Sequence, residues 1–372
     1  MIKAQSIHVL HLALIRITLT LVSICYFSIT VFSQEKEKGI NIGIVYPLSI
    51  QGIHSKDYAN IFSLHAFAGL SREEKGFTAS GFTNIVKENA TGFQVAGFLN
   101  KIGGTADGFK GAGFLNIYKD AKGFQTAGFA NFSKGDIQGM QGAGFINLAH
   151  DIKGFQGAGY INIADSVYGA QGAGFINIAG DVEGAQIAGF INIAKKVKGV
   201  QAAGFINIAD SSEYPIGLIN IVRNGEKYLG VTTDDNLTTL LAFRSGSRKL
   251  YGIIGLGYNS KNKEEEFALQ YGLGAHLLTR NKFRLNAEGT ITHLEDFKKG
   301  EFVKTSLSIL PALKLGNRIE IFGGPSLNYV STTSADGRNL IDHYMLKRTS
   351  RHDENRLYGM YIGYTAGLHL SF

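Results

Sequence analysis

Arg338, Asp342, His343, Lys347, Arg348, Arg351, His352, Asp353, Glu354 and Arg356 form the densest run of charged side chains in this sequence. Arginine suits bidentate contact with phosphate or carboxylate, so Arg338, His343, Arg348, Arg351, His352 and Arg356 read as a candidate binding loop for a surface partner or a lipopolysaccharide phosphate. His343 and His352 offer two imidazoles to a metal, but spacing presets no third ligand, so neither a metal nor a cofactor is assigned. Nucleophilic catalysis would need a hydroxyl within hydrogen-bond reach of a base. His369 and Ser371 share one face of a strand but stand about 7 Å apart along it, too far for that contact. No residue set points to an enzyme.

The segments that carry these residues alternate with period two. Tyr358, Met360, Ile362, Tyr364, Ala366, Leu368, Leu370 and Phe372 form one apolar face, opposed by Gly359, Tyr361, Gly363, Thr365, Gly367, His369 and Ser371. Another segment sets Phe283, Leu285, Ala287 and Ile291 against Lys282, Arg284, Asn286, Glu288, Thr290 and Thr292. A soluble sandwich would neither bury the polar face nor expose so continuous an apolar one, whereas a transmembrane β-barrel does both. Eight strands are expected, beginning near Glu226, Leu237, Arg248, Phe267, Lys282, Phe302, Arg318 and Leu357. The longer connections, Asn259 to Glu266, Glu295 to Glu301 and Ser331 to Arg356, fall on one side and the short turns on the other. An eight-stranded barrel is filled by side chains, which makes Arg284 and Glu288 a polar plug.

The middle of the chain is an array. The unit Gly-Phe-Gln-x-Ala-Gly-Phe-Ile-Asn-Ile-Ala starts at Gly76, Gly92, Gly108, Gly123, Gly139, Gly154, Gly169, Gly184 and Gly199, a spacing of 15 or 16 residues. Asn147, Asn162, Asn177, Asn192 and Asn207 hold one position, and Gln141, Gln156, Gln171, Gln186 and Gln201 another; Thr78 and Lys110 are exceptions to the second. In a parallel β-solenoid each copy is one coil and equivalent amides stack into ladders. The rival architecture makes each copy one antiparallel strand, with Phe155, Gly157, Gly159, Ile161 and Ile163 on one face and Gln156, Ala158, Tyr160, Asn162 and Ala164 on the other. The solenoid is favoured, because antiparallel neighbours would not stack equivalent residues and every link is equally short. The ladders read as structural; the functional alternative is a flat amide array that binds a repetitive ligand such as a glycan.

Residues 1–33 read as a cleaved export signal: Lys3, the apolar stretch Ile17 to Val31, and Val31-Phe32-Ser33 before Gln34. Its removal takes the only cysteine, Cys25, and lowers the formal charge from +7 to +5. With no Lys/Arg block and no basic-aromatic motif, nucleic acid is not an expected partner. Four segments follow: the signal to residue 33, N-terminal strands or a cap over 34–75, the repeat array over 76–222, and a C-terminal barrel over 223–372.

The alternating strand that ends on Tyr364, Leu368, Leu370 and Phe372 resembles the terminal assembly signal of bacterial outer-membrane β-barrels, whose insertion machinery recognises a last aromatic residue. The Gly-Phe-Gln-x-Ala-Gly-Phe-Ile-Asn units are similar to those of an uncharacterised family of bacterial surface-repeat proteins. The resemblances imply outer-membrane lipid and the barrel-insertion machinery as partners, and no catalytic residue. The absence of Trp leaves any interfacial aromatic girdle to Tyr and Phe. The expectation is an all-β, non-enzymatic outer-membrane surface protein with a structural or adhesive role, a β-solenoid on a small barrel. The alternative is one large porin-like channel that includes the repeats.

Overall fold

A computed structural model describes residues 39–261, 267–295, 301–316, 318–350 and 356–372, except the side chain of Asp336. The expected export signal lies outside the described residues. The architecture is all-β: a parallel β-solenoid of about 11 turns and a closed eight-stranded antiparallel barrel. The repeats are therefore coils, and no large barrel incorporates them. The chain divides into two compact units, Met1–Ala112 and Gly113–Phe372.

In the first unit, Ile40–Val45 pairs parallel with Ala59–Ser71 and antiparallel with Leu48–Ser49, and a 3-10 helix over Gly52–Asp57 links them. The N-terminal strands thus belong to the solenoid. Ala59–Ser71 pairs with both strands of the next coil, Glu73–Ser80 and Thr83–Val86, so it is a coil that lacks the repeat motif.

One coil of the second unit shows how the unit folds. Asp151–Ala158 pairs in register with Ser166–Ala173, and Ile161–Ile163 with Ile176–Ile178, so that Gly154 meets Gly169, Gln156 meets Gln171 and Asn162 meets Asn177. Ile152, Gln156, Asn162 and Ala164 point inward, while Phe155 and Tyr160 point outward. Tyr160 breaks the two-residue alternation that the single-strand reading requires, because the chain bends at Gly159 before it. Gly154 has φ +138, and a Cβ there would lie 2.1 Å from the carbonyl oxygen of Gly139; at Gly159 it would lie 2.2 Å from that of Gly144. Both recurrent glycines exist because adjacent coils approach backbone to backbone where the chain turns.

The coil interior is filled mainly by Ala, Val, Ile, Asn and Gln, with Tyr118 also enclosed there. Asn162 Nδ2 donates to the Gly172 carbonyl at 2.7 Å and to Asn177 Oδ1 at 3.0 Å. The same pair of contacts recurs at Asn177 and Asn192, so each buried amide donates to a backbone carbonyl of the next coil and to that coil's asparagine.

In the barrel the strands are β1 (Glu226–Asp234), β2 (Thr238–Gly246), β3 (Leu250–Asn259), β4 (Phe267–Arg280), β5 (Phe283–Glu295), β6 (Phe302–Leu315), β7 (Ile319–Thr332) and β8 (Leu357–Ser371). Neighbours pair antiparallel, and β1 closes on β8 through Tyr228↔Ser371 to Asp234↔Thr365. The connection between β7 and β8 adds a one-turn helix, Ala335–Asn339, and a short strand, Leu346–Thr349, along β8. Ser334 caps that helix by accepting from the Gly337 N–H at 2.8 Å.

Lys110 occupies a Gln position of the array and is fully buried, its Nζ donating to the carbonyls of Gly92 at 2.9 Å and of Asp107. Burial pulls its pKa down to about 8, against the opposing pull of the Asp107 carboxylate. A base held below its ordinary value binds its proton more weakly folded than unfolded, so this group costs stability below pH 8, and the cost fades as pH rises toward 10.5. Lys110→Gln, which restores the residue of the other copies, should stabilise the refolded chain at pH 7 by about 2 kcal/mol and flatten that alkaline rise. Thermal unfolding scanned from pH 7 to 10.5 reads both effects.

Candidate functional site

Inside the barrel the alternation turns charged residues inward. Arg244 on β2 and Glu288 on β5 form a fully buried two-point ion pair, Nε to Oε1 at 2.8 Å and Nη2 to Oε2 at 3.0 Å, and Tyr251 OH donates to Glu288 Oε1 at 2.9 Å. Nearer the chain's C-terminus, Arg284 donates to Tyr228 OH at 2.7 Å and to Glu226 Oε1 at 3.0 Å, and lies 3.6 Å from Glu320. Toward the other end, Lys304 pairs with Asp234. His369 packs its ring 4.2 Å from Phe322 and 5.5 Å from Tyr228. The free space bounded by Thr232, Arg244, Glu288 and Lys304 is about 20 Å³, room for roughly one water. The lumen of these strands thus holds a charge-neutralising network, with Arg284 paired to Glu226 and Glu288 to Arg244, beside buried apolar residues such as Leu294, Phe302 and Val330.

The ladder residues are equally enclosed. Asn147, Asn162, Asn177, Asn192 and Asn207 are fully buried, as are Gln141, Gln156, Gln186 and Gln201, with Gln171 almost so. Gln156, Gln171, Gln186 and Gln201 each donate to the preceding glutamine's Oε1 at 2.8–3.1 Å, and Gln141 donates to Tyr118 OH at 2.9 Å. These amides face the interior, so a ligand at the surface of the coils would meet other side chains. One outward row is aromatic: Phe145, Tyr160, Phe175, Phe190 and Phe205 stack at 4.7–5.2 Å with nearly parallel planes. Stacking covers the ring faces and leaves edges, a poor platform for a sugar that would lie on a ring face.

At the coil corners, His150 lies between three carboxylates, with Nδ1 3.1 Å from Asp136 and 3.5 Å from Asp151, and Nε2 3.5 Å from Asp165. The hydrogen bond to Asp136, helped by the charges of Asp151 and Asp165, raises its pKa above the ordinary imidazole value. Among the described residues, Asp136, His150 and Asp151 are the one His/Asp/Glu group compact enough to surround a metal ion. No motif spacing reveals it; only coil stacking brings residues 14 or 15 apart together.

The charged loop after β7 is divided in its tasks. Arg356 binds Glu301 at 2.7 Å and Ser331 at 3.4 Å, and Arg338 reaches the Thr333 carbonyl at 3.5 Å, so both tie the loop to its base. His343 and Arg348 are exposed, and Arg351 and His352 lie outside the described residues. Tyr364, Leu368, Leu370 and Phe372 all project from the outer face of β8, with Phe372 77% exposed.

The solenoid meets the barrel at the end where β8 finishes. Asn220, the last ladder residue, donates its backbone N–H to Ser245 Oγ at 3.0 Å and its amide to the Ser245 carbonyl at 3.3 Å. Ser247 reaches the Glu213 carbonyl at 3.0 Å, and Lys249 Nζ lies 4.4 Å over the Tyr214 ring. The turn between β2 and β3 therefore covers the open edge of the final coil.

The fold is that of a filled antiparallel barrel continued by a parallel solenoid, with its polar chemistry enclosed in both parts. The chain matches no protein-family model, no curated protein and no solved structure in the comparisons made.

Removing one partner of the central ion pair leaves a buried, uncompensated charge. Glu288→Gln should lower barrel stability by about 3 kcal/mol, read as a lower urea midpoint, while a paired Arg244→Met/Glu288→Met change should recover most of that loss.

Proposed function

We propose that this chain is a non-enzymatic outer-membrane protein whose small, filled barrel anchors the solenoid, with a structural or binding role. The observation that carries this reading is the polarity of the barrel. Every strand turns apolar side chains outward, among them Leu241 at 55% exposure, Leu256 at 65% and Ile362 at 65%, while the interior holds the buried ion pairs. Such a surface is unfavourable in water and suited to lipid, and a closed barrel leaves no backbone edge unpaired there. Exposed Tyr258, Phe267 and Tyr329 lie toward one rim, and Phe283 and Phe372 toward the other, positions where aromatic rings sit at membrane–water interfaces.

An even strand number puts both ends of the barrel on one side. The connections on that side are residues 247–249, 281–282 and 316–318, whereas those opposite include 260–266, 296–301 and 333–356. Outer-membrane barrels carry short turns on the periplasmic side and longer loops outside. On this reading the coils that join the barrel are periplasmic, and the loop after β7 is the part presented to the exterior.

Two measurements test the proposal. In a planar bilayer the inserted protein should give no large conductance steps; stable large steps would overturn the filled anchor. Protease added to intact cells should cut within 333–356 and spare the coils until the outer membrane is permeabilised. Cleavage of the coils in intact cells would reverse the assigned orientation.

A further inference from the structure

The rim of the barrel carries one surface that the anchoring role leaves unexplained. β1 ends at Asp234, opposite Thr365, so the first part of β8 has no neighbour from β1. The strand Leu346–Thr349 takes that place, pairing Leu346↔Met360, Lys347↔Gly359, Arg348↔Tyr358 and Thr349↔Leu357. On the other side of β8, β7 pairs Tyr329↔Met360 and Ser331↔Tyr358. Residues directly opposite in an antiparallel pair share a face. Two cross-strand rows follow. Tyr329, Met360 and Leu346 form the row nearer the barrel's middle, and Ser331, Tyr358 and Arg348 form the row two residues farther out, a step of about 7 Å along β8.

Both rows lie on the outward face, because Leu357 and Gly359, between and beside them, point inward and are buried. The inner row is apolar apart from one phenol hydroxyl; the outer row carries hydroxyls and a guanidinium. An open groove of about 600 Å³ runs over these rows, Ser331 apart, and also takes in Lys347, Gly359 and Ser350. Tyr329 and Tyr358 stack across it at 6.3 Å. Arg348 is exposed and pairs with no carboxylate among the described residues, unlike Arg356, which is held by Glu301. Lys347, next in sequence, also lines the groove, and its Nζ lies 5.1 Å from the centre of the Tyr344 ring.

We propose that this groove binds a phosphate-bearing membrane lipid. Acyl chain lies along Tyr329, Met360 and Leu346, and the headgroup phosphate sits at Arg348, with the Tyr358 and Ser350 hydroxyls as further donors. The order of the rows matches the order of a lipid, with hydrocarbon toward the membrane's middle and phosphate toward its surface. A planar guanidinium suits a phosphate by two-point hydrogen bonding, and Arg348 supplies the complementary charge. The inference rests on the membrane reading above.

The full chain, folded in detergent micelles, can be titrated with phosphatidylglycerol and with diacylglycerol, which lacks the phosphate, and bound lipid counted by native mass spectrometry. Phosphatidylglycerol should be retained at least tenfold more tightly. Arg348→Gln should lower that retention about tenfold, Leu346→Ser should weaken it, and Lys282→Gln, an equal loss of charge at the exposed turn on the opposite rim, should leave it unchanged. Equal losses for Arg348→Gln and Lys282→Gln, or none for Arg348→Gln, would overturn the proposal. So would full displacement of the lipid by millimolar inorganic phosphate, which would make this a soluble-anion site. Insertion into lipid vesicles is scored separately: a chain that does not insert sinks the membrane reading, whereas one that inserts without lipid selectivity sinks only the groove.

Discussion

The bent backbone of the coil sets the problem that the rest of the solenoid answers. Turning twice within 15 residues leaves a narrow interior, where a buried polar side chain has only backbone carbonyls and the side chains of adjacent coils as partners. An asparagine at one fixed position resolves this, because its amide can donate both to such a carbonyl and to the asparagine of the next coil. Asn162 does so with Gly172 and Asn177. Once that position is committed, equivalent residues must stack in register, and the glycines that permit close approach must recur at the same spacing. The repeat is thus the imprint of one hydrogen-bonding requirement made coil after coil.

The barrel solves the complementary problem. Its strands pair around a closed circuit, so its interior is free to hold charge if each charge is neutralised. Arg244 with Glu288, Arg284 with Glu226 and Lys304 with Asp234 do this in layers along the lumen. Burying an ion pair gives little net stability in itself. What it secures here is a polar network beside the buried apolar clusters of Leu240, Leu294, Phe302 and Val330 and of Leu310, Ala312 and Phe322. Both parts thus bury amides or charges while turning many Phe, Ile and Leu side chains outward.

Much of this was legible in residues and their periods. The barrel strands begin within two residues of the positions where alternation starts, as at Glu226, Phe267, Phe302 and Leu357. The stacked register of Gly154 on Gly169 and Asn162 on Asn177 follows from the recurrence itself. Less legible was the path within a coil, since the bend at Gly159 places Tyr160 outside, although counting by twos puts it with Gln156 and Asn162. The N-terminal coil was hidden because Gly69 stands opposite Asn84, where the ladder would otherwise continue. The division of labour in the charged loop was not readable at all: what distinguishes Arg356 from Arg348 is Glu301, 55 residues from Arg356 and brought near only by barrel closure. The strand Leu346–Thr349 likewise has no alternating signature, and its pairing exists because β1 stops short of β8.

The junction between the two parts ties these constraints together. A solenoid ends in an open strand edge, and an exposed edge is a template for pairing with another chain. At the C-terminal end the edge is met by the turn between β2 and β3, where Ser245 offers its hydroxyl and carbonyl to Asn220 as another coil's asparagine would. The amide ladder does not stop at solvent; its last donor is satisfied by the barrel. Ser247 and Lys249 fix the same turn to Glu213 and Tyr214, so the contact spans both strands of the final coil. A barrel with no edge of its own is well suited to this task, because it can close the solenoid without presenting a new edge in turn.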